Sequence, residues 1–186
     1  MKKLIASALV ILFSFSAQSE TWEASAGMSY VWFKVKHFGV SNAYGRFNDF
    51  SGSFSGDPKD ASTFSFEFEV KAESIDTGIE KRDAHLIGPD FFSAKEHPTI
   101  SFKSSSVEAA DNGKFLLKGD ITLLGKTKPI EAAFEYFGEG TGVKGTPVAG
   151  GEAVFTVKRS DFGMDYGVPG IGDEVTITVS LQGAKK

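Results

Sequence analysis

Apolar and polar residues alternate along most of this chain with a period of two. Phe64, Phe66, Phe68, Val70 and Ala72 alternate with Ser65, Glu67, Glu69 and Lys71. Phe115, Leu117, Gly119, Ile121 and Leu123 form a second run, and Ile130, Ala132, Phe134 and Tyr136 a third. Val175, Ile177, Val179 and Leu181 repeat the pattern near the C-terminus. Closer to the start, Val31, Phe33, Val35 and His37 share one face, and Trp32, Lys34 and Lys36 the other. Successive strand side chains point to opposite faces, so these runs read as half-buried antiparallel strands. The pattern predicts eight of them, near 29–38, 43–55, 62–73, 98–109, 114–124, 129–138, 150–160 and 173–183.

Local signals punctuate the runs. In the second, parity slips between Phe47 and Phe50, which predicts a β-bulge at Asn48-Asp49. Asn112-Gly113 is a hairpin signal between the fourth and fifth strands. The Gly-rich stretch from Gly138 to Gly151 reads as a mobile loop. The prolines fall between the runs, as expected of residues that cannot donate to a ladder. One helix is predicted from about Gly78 to Ile87, ending before Pro89, with Thr77 as its cap and Glu80 completing a capping box. Ile79, Leu86 and Ile87 would form its apolar face, with Arg82 and Asp83 beside it. One-sided strands in this number form a sandwich or a barrel. Strands of nine to twelve residues span roughly 30–40 Å, which favours the barrel. The expected class is therefore all-β, an eight-stranded antiparallel barrel with one short helix after the third strand.

Composition narrows the function. The 186 residues include 18 Phe and 21 Gly, so something large and aromatic is lined or filled. Twenty basic against 24 acidic residues give a net charge of −4, which argues against nucleic acid as a partner. The absence of cysteine excludes disulfides and thiolate chemistry. Lys2 and Lys3, the apolar run Leu4 to Phe15 and the small residues of Ala17-Gln18-Ser19 read as a signal peptide over residues 1–19. That run is too short to cross a bilayer, which takes about 20 residues. No other long apolar stretch predicts stable membrane insertion. Residues 20–186 would then be a single domain delivered to a bacterial periplasm.

Several motifs in fixed order carry a family likeness. They are Val35-Lys36-His37-Phe38-Gly39-Val40; Gly45-Arg46-Phe47 with Phe50-Ser51-Gly52; and Ser74-Ile75-Asp76-Thr77-Gly78 through Lys81-Arg82-Asp83-Ala84-His85-Leu86. Pro89-Asp90-Phe91-Phe92, His97-Pro98-Thr99-Ile100-Ser101-Phe102, Gly119-Asp120-Ile121-Thr122-Leu123 with Lys126-Thr127-Lys128-Pro129, and Arg159-Ser160-Asp161-Phe162-Gly163-Met164 follow. In these the chain resembles the YceI-like family of bacterial periplasmic proteins. The resemblance implies a lipocalin-like barrel that binds a long isoprenoid or quinone-like lipid in an internal tunnel. It implies no enzymatic activity and no catalytic cofactor.

The strand faces are compatible with that implication. Phe33, Phe64, Phe66, Phe68, Ile121, Phe134, Phe155 and Ile177 could wall a channel, with Val35 and Leu86 beside them; plain core packing is the alternative for each. His37 could reach a quinone or amide oxygen, or be a satisfied structural histidine. Arg82 could meet a lipid head group, or close one barrel end with Asp83. Arg159 shares parity with Phe155 and Val157 and would point toward the mouth. His85 and His97 are expected at the surface. Ile75-Asp76-Thr77-Gly78 has the aspartic-protease pattern, but that chemistry needs two aspartates and only one copy exists. The three histidines lack zinc-ligand spacing. A filled barrel presenting the 138–151 loop to a protein, and an enzyme acting on an isoprenoid through His37 or the Arg82/Asp83 pair, are the rival readings. A homodimer is left open.

Overall fold

The computed structural model describes residues 20–186. The expected signal peptide lies outside the described residues. Eleven strands build eight staves of one closed antiparallel sheet. β1 (Thr21–Ala24) and β2 (Tyr30–His37) both lie along β11 (Ile171–Lys185), at Trp22↔Lys185 and Val31↔Val179, and together make the first stave. β3 (Ser41–Phe47) and β4 (Phe50–Asp57) make the second, facing the first at Val31↔Phe47 and Trp22↔Phe54. The break between them falls at Asn48-Asp49, where the parity slip placed a bulge. β5 (Asp60–Lys71) pairs with β4, and the two-residue β6 (Ile75–Asp76) pairs with β3, giving the third stave. β7 (Thr99–Ala109), β8 (Phe115–Leu123), β9 (Lys126–Thr141) and β10 (Pro147–Lys158) continue in chain order to β11. Pairing of β1 with β11 then closes the ring. Consecutive staves are neighbours throughout, and the connections are short except for residues 77–98 between β6 and β7.

Three expectations change in detail. β1 went unforeseen, because four residues are too few to show a period. The 138–151 stretch is mostly ladder, with Gly138↔Gly150 and Thr141↔Pro147 paired, and only a tight turn at Val143–Gly145 between them. Glycine weakens a strand without removing its backbone hydrogen bonds. α1 (Glu80–Ile87) begins two residues later than expected, and Thr77 does not cap it. Gly78, at φ +76°, turns the chain there, and Asp83 takes the Thr77 hydroxyl instead. The hairpin signal holds: Asn112 and Gly113 are both left-handed, at φ +59° and +71°.

Phenylalanine and glycine are paired across the wall. A Cβ on Gly45 would stand 2.3 Å from the Phe33 ring, and one on Gly52 2.2 Å from Phe68. Gly119 and Gly151 stand in the same relation to Phe102 and Phe134, at 2.6 and 2.7 Å. Real carbon pairs do not approach so closely, so each ring occupies the space a neighbouring side chain would take. The rings thereby lie against the wall, and the centre of the barrel is left hollow.

Gly119→Ala should therefore lower stability by about 1–3 kcal/mol, since the new methyl meets both the Phe102 ring and the Lys103 carbonyl. Gly140→Ala, whose nearest neighbour would be 3.9 Å away, should change it by less than about 0.5 kcal/mol. Urea unfolding of the two variants beside the parent checks the contrast.

Candidate ligand cavity and its mouth

One barrel end is shut by aromatic rings. Phe64 packs against Phe115, Phe134 and Tyr136 at 5.2, 5.7 and 5.6 Å between centroids, and Phe66 against Phe134 at 4.9 Å. Buried Trp22 and Phe54 belong to the same cluster. Above this floor lies a cavity open to the centre of a water-sized sphere over about 200 Å³.

Its wall is built by strand parity. Phe33 and Val35 come from β2, Phe66 and Phe68 from β5, and Ile121 from β8. Phe134, Phe155 and Ile177 enter from β9, β10 and β11, and Leu86 reaches in from α1. Phe64 does not reach the cavity. It shares a face with Phe66 and Phe68, but it lies nearer the β4–β5 turn and belongs to the floor. Sequence reasoning missed Phe91, Phe92 and Met164, which roof the cavity from irregular segments with no period to read. It also missed Phe47 and Phe50. These flank the break at Asn48-Asp49, where one residue beyond the period turns both rings inward; the parity slip was visible, and its consequence was not drawn.

Arg159 and Ser101 supply the polar side chains of the wall. Arg159 was expected at the mouth and is instead buried, only 3% exposed. It ends β10 and opens the short turn Arg159–Phe162. Its Nε donates to the Gly172 carbonyl at 2.9 Å, Nη1 to Met164 at 3.0 Å and Nη2 to Ile171 at 2.9 Å. Burial pushes its pKa down, against the pull of Asp173 and Asp165. Asp173 in turn accepts the Ser160 N–H and hydroxyl, and the N–H chiefly holds that carboxyl below its usual range.

The cavity opens sideways. β6 pairs with β3 only at Arg46 and Phe47, so the β3 edge before Arg46 has no strand beside it opposite β2. α1 faces that gap. The space between is a vestibule lined by Ser41, Asn42 and Tyr44 of β3 and by Arg82 and His85 of α1, and it shares Phe33, Val35, Leu86, Phe91 and Ile171 with the cavity. His37 and Arg82, read from sequence as candidate ligand contacts, line this vestibule and not the cavity.

A polar network holds the vestibule's helical side. Arg82 Nε donates to Thr77 Oγ1 at 2.7 Å, and Nη2 to the Thr77 carbonyl at 2.8 Å. Asp83 accepts the Thr77 N–H at 2.9 Å and its hydroxyl. The arginine and the aspartate thus meet through Thr77 and not as a direct pair. Arg82 Nη1 makes no hydrogen bond among the described residues, so it is available to an acceptor. His85 is exposed and pairs with Asp90 at 2.9 Å, while His97 is half-buried, not exposed as expected. Asp76, the aspartate of the protease-like motif, accepts the Gly78 N–H and holds Arg46 at 2.9 Å and Asn48 at 3.2 Å. These bonds, the Gly78 N–H foremost, keep its carboxyl below the usual carboxylate value. Its role is to fasten β6 to β3. Among the described residues no cluster of His, Asp and Glu could hold a metal ion, and no helix is long and apolar enough to cross a membrane.

Comparison with known proteins agrees with this geometry. The YceI-like domain matches residues 22–183. A UPF0312 protein of Pseudomonas aeruginosa is 36% identical over 159 residues, covering 85% of this chain and 82% of its own. The crystal structure of BcnA from Burkholderia cenocepacia superimposes with a TM-score of 0.77 at 25% identity, covering 86% of this chain and 98% of BcnA. A polyisoprenoid binding domain from Saccharophagus degradans, implicated in plant cell wall breakdown, shares the fold at 13% identity, with a TM-score of 0.64 over 91% of this chain and all of that domain.

The Asp76 network sets a pH dependence. A carboxyl whose folded pKa is lowered stabilises the fold fully above its ordinary value of 3.8, and that contribution is lost as the pH falls through the lowered value. Asp76→Asn should lower the urea midpoint at neutral pH and reduce its fall on acidification. Unfolding curves between about pH 3 and pH 7 test this, and equal slopes for parent and variant would contradict it.

Proposed function

The chain belongs to the YceI-like family, and from that premise we propose that it binds one amphiphilic lipid, with the tail in the cavity and the polar head in the vestibule. The observation that carries this reading is the contrast between a hollow walled almost wholly by hydrocarbon and a contiguous mouth lined by His37, Arg82 and Thr77. An apolar pocket with a few polar groups at one end suits a ligand of the same polarity. A long isoprenoid chain with a quinone or other polar head is the class proposed. That a polyisoprenoid binding domain shares this fold supports the class. The amino-terminal signal pattern supports delivery to a periplasm.

Binding, not turnover, is the activity proposed, with no catalytic cofactor. Asp76 and Asp83 are both engaged in structural hydrogen bonds, and among the described residues His37 has no acid or base partner in hydrogen-bond contact. Each buried CH₂ is worth about 0.8 kcal/mol, but the same tail is already buried in a membrane before transfer. Net affinity is then a small difference, which suits a carrier that must also release its cargo. A filled barrel displaying the 138–151 segment is the weaker reading. The interior is hollow, and most of that segment is ladder.

Protein purified gently from its own periplasm should carry one apolar chain by native mass spectrometry, identifiable after solvent extraction. A clean apo mass that does not change on challenge with quinones and polyprenols would overturn the reading. Ala153→Trp, which projects an indole into the cavity, should cut lipid retention by at least about tenfold while leaving the far-ultraviolet circular dichroism spectrum intact.

A further inference from the structure

The rim of the mouth is itself apolar, and three separate segments build it. The β2–β3 turn contributes Phe38 and Val40, 68% and 87% exposed. The chain before β11 adds Tyr166 and Val168, and the residue preceding α1 is Ile79, all exposed. These segments are tied together around the opening. The Phe38 N–H donates to the Gly170 carbonyl at 2.6 Å, and the Tyr166 ring lies 5.3 Å from His85. Phe38 also adopts φ +48°, a left-handed conformation that is costly for a bulky residue. The turn thus holds a strained backbone, with the ring set 4.3 Å from the His37 ring and over Gly170 yet still 68% exposed.

Charge at the mouth points to the partner. The chain carries four more acidic than basic residues. Yet among the described residues Arg82 is the one permanently charged side chain lining the vestibule, and no carboxylate lines it. Of the exposed charges next to lining residues in sequence, Asp90 is paired with His85, and Lys36, Lys81 and Asp165 stand around the opening. Apolar side chains backed by cations are the pattern of a surface that rests in a lipid interface, with rings at the acyl boundary and cations at the phosphates.

We propose that the barrel docks mouth-down on an anionic lipid bilayer, inserting Phe38, Val40, Tyr166, Val168 and Ile79 and setting Arg82 against lipid phosphate. The orientation would place the β3–α1 opening against the membrane, so that a tail could pass between bilayer and cavity without crossing water. The purpose of docking rests on the lipid-carrier reading; the docking surface is observable without it.

Flotation with vesicles of phosphatidylethanolamine and phosphatidylglycerol, beside phosphatidylcholine vesicles, tests the proposal. The parent protein should float with the anionic vesicles, and the double variant Phe38→Ser/Val40→Ser should partition at least about tenfold less. Val143→Ser, at an exposed site in the β9–β10 turn of the other barrel end, should behave as the parent. Failure of the parent to float, or an undiminished double variant, would overturn the docking. So would an equal loss in Val143→Ser. If the double variant loses its circular dichroism spectrum, Val168→Ser with Ile79→Ser takes its place under the same expectations. Native mass spectrometry of the same samples separates the two ideas. Parent protein that retains lipid but ignores vesicles refutes docking alone. Protein that floats yet never retains lipid leaves docking standing and removes the carrier reading.

Discussion

Eight staves make a barrel at the size where its own side chains can fill it. This chain turns large rings inward from several of those staves, and the barrel would be solid if every inward position also carried a side chain. It is hollow because Phe33, Phe68, Phe102 and Phe134 lie where glycines on the same or adjoining staves leave room for them. The unusual abundance of both residue types is therefore one feature. Glycine costs strand stability, and the ring that covers it recovers part of that by shielding the exposed backbone. The wall is smooth and apolar as a consequence, and the cavity, its contents and its opening all depend on that arrangement.

Much of this was legible in the sequence, and the gaps have definite physical causes. Period two identifies which face of a strand a residue occupies, so the barrel, the irregularity at Asn48-Asp49 (a strand break where a bulge was expected) and most of the wall could be read. Period says nothing about level along the barrel axis, which is why Phe64 was grouped with Phe66 and Phe68 although it belongs to the floor. Residues outside regular elements carry no period at all, so Phe91, Phe92 and Met164 were invisible as roof. The Thr77-x-x-Glu80 spacing fits a capping box, but the Asp83 carboxylate is the one brought within reach of Thr77 once Gly78 turns the chain. Local patterns give the available partners; the tertiary fold chooses among them.

The two ends of the barrel are held by different forces. At the floor, aromatic side chains bury one another, and separating them would expose large apolar area at roughly 25 cal/mol per Å². At the mouth, the fastenings are polar: Asp76 to Gly78 and Arg46, and Thr77 to Arg82 and Asp83. A hydrogen bond exposed to water is exchanged for one to solvent with a net loss of only about 0.5–1.5 kcal/mol.

Arg159 marks the boundary between these regimes. A buried cation costs several kcal/mol unless its donors are satisfied, and one beside an apolar cavity would draw water into it. Here three of its donors are taken up by backbone carbonyls, two of them at the start of β11 and one at Met164 in the roof. It therefore fixes the roof to the barrel and would resist movement there. The vestibule side differs. α1 buries none of its residues, and the β3 edge it faces carries no partner strand before Arg46. Parting α1 from β3 separates Leu86 and Ile87 from the core they pack against but strands no charge, whereas lifting the roof does. Any widening of the mouth should then follow the helix, along the slot where cavity and vestibule already meet.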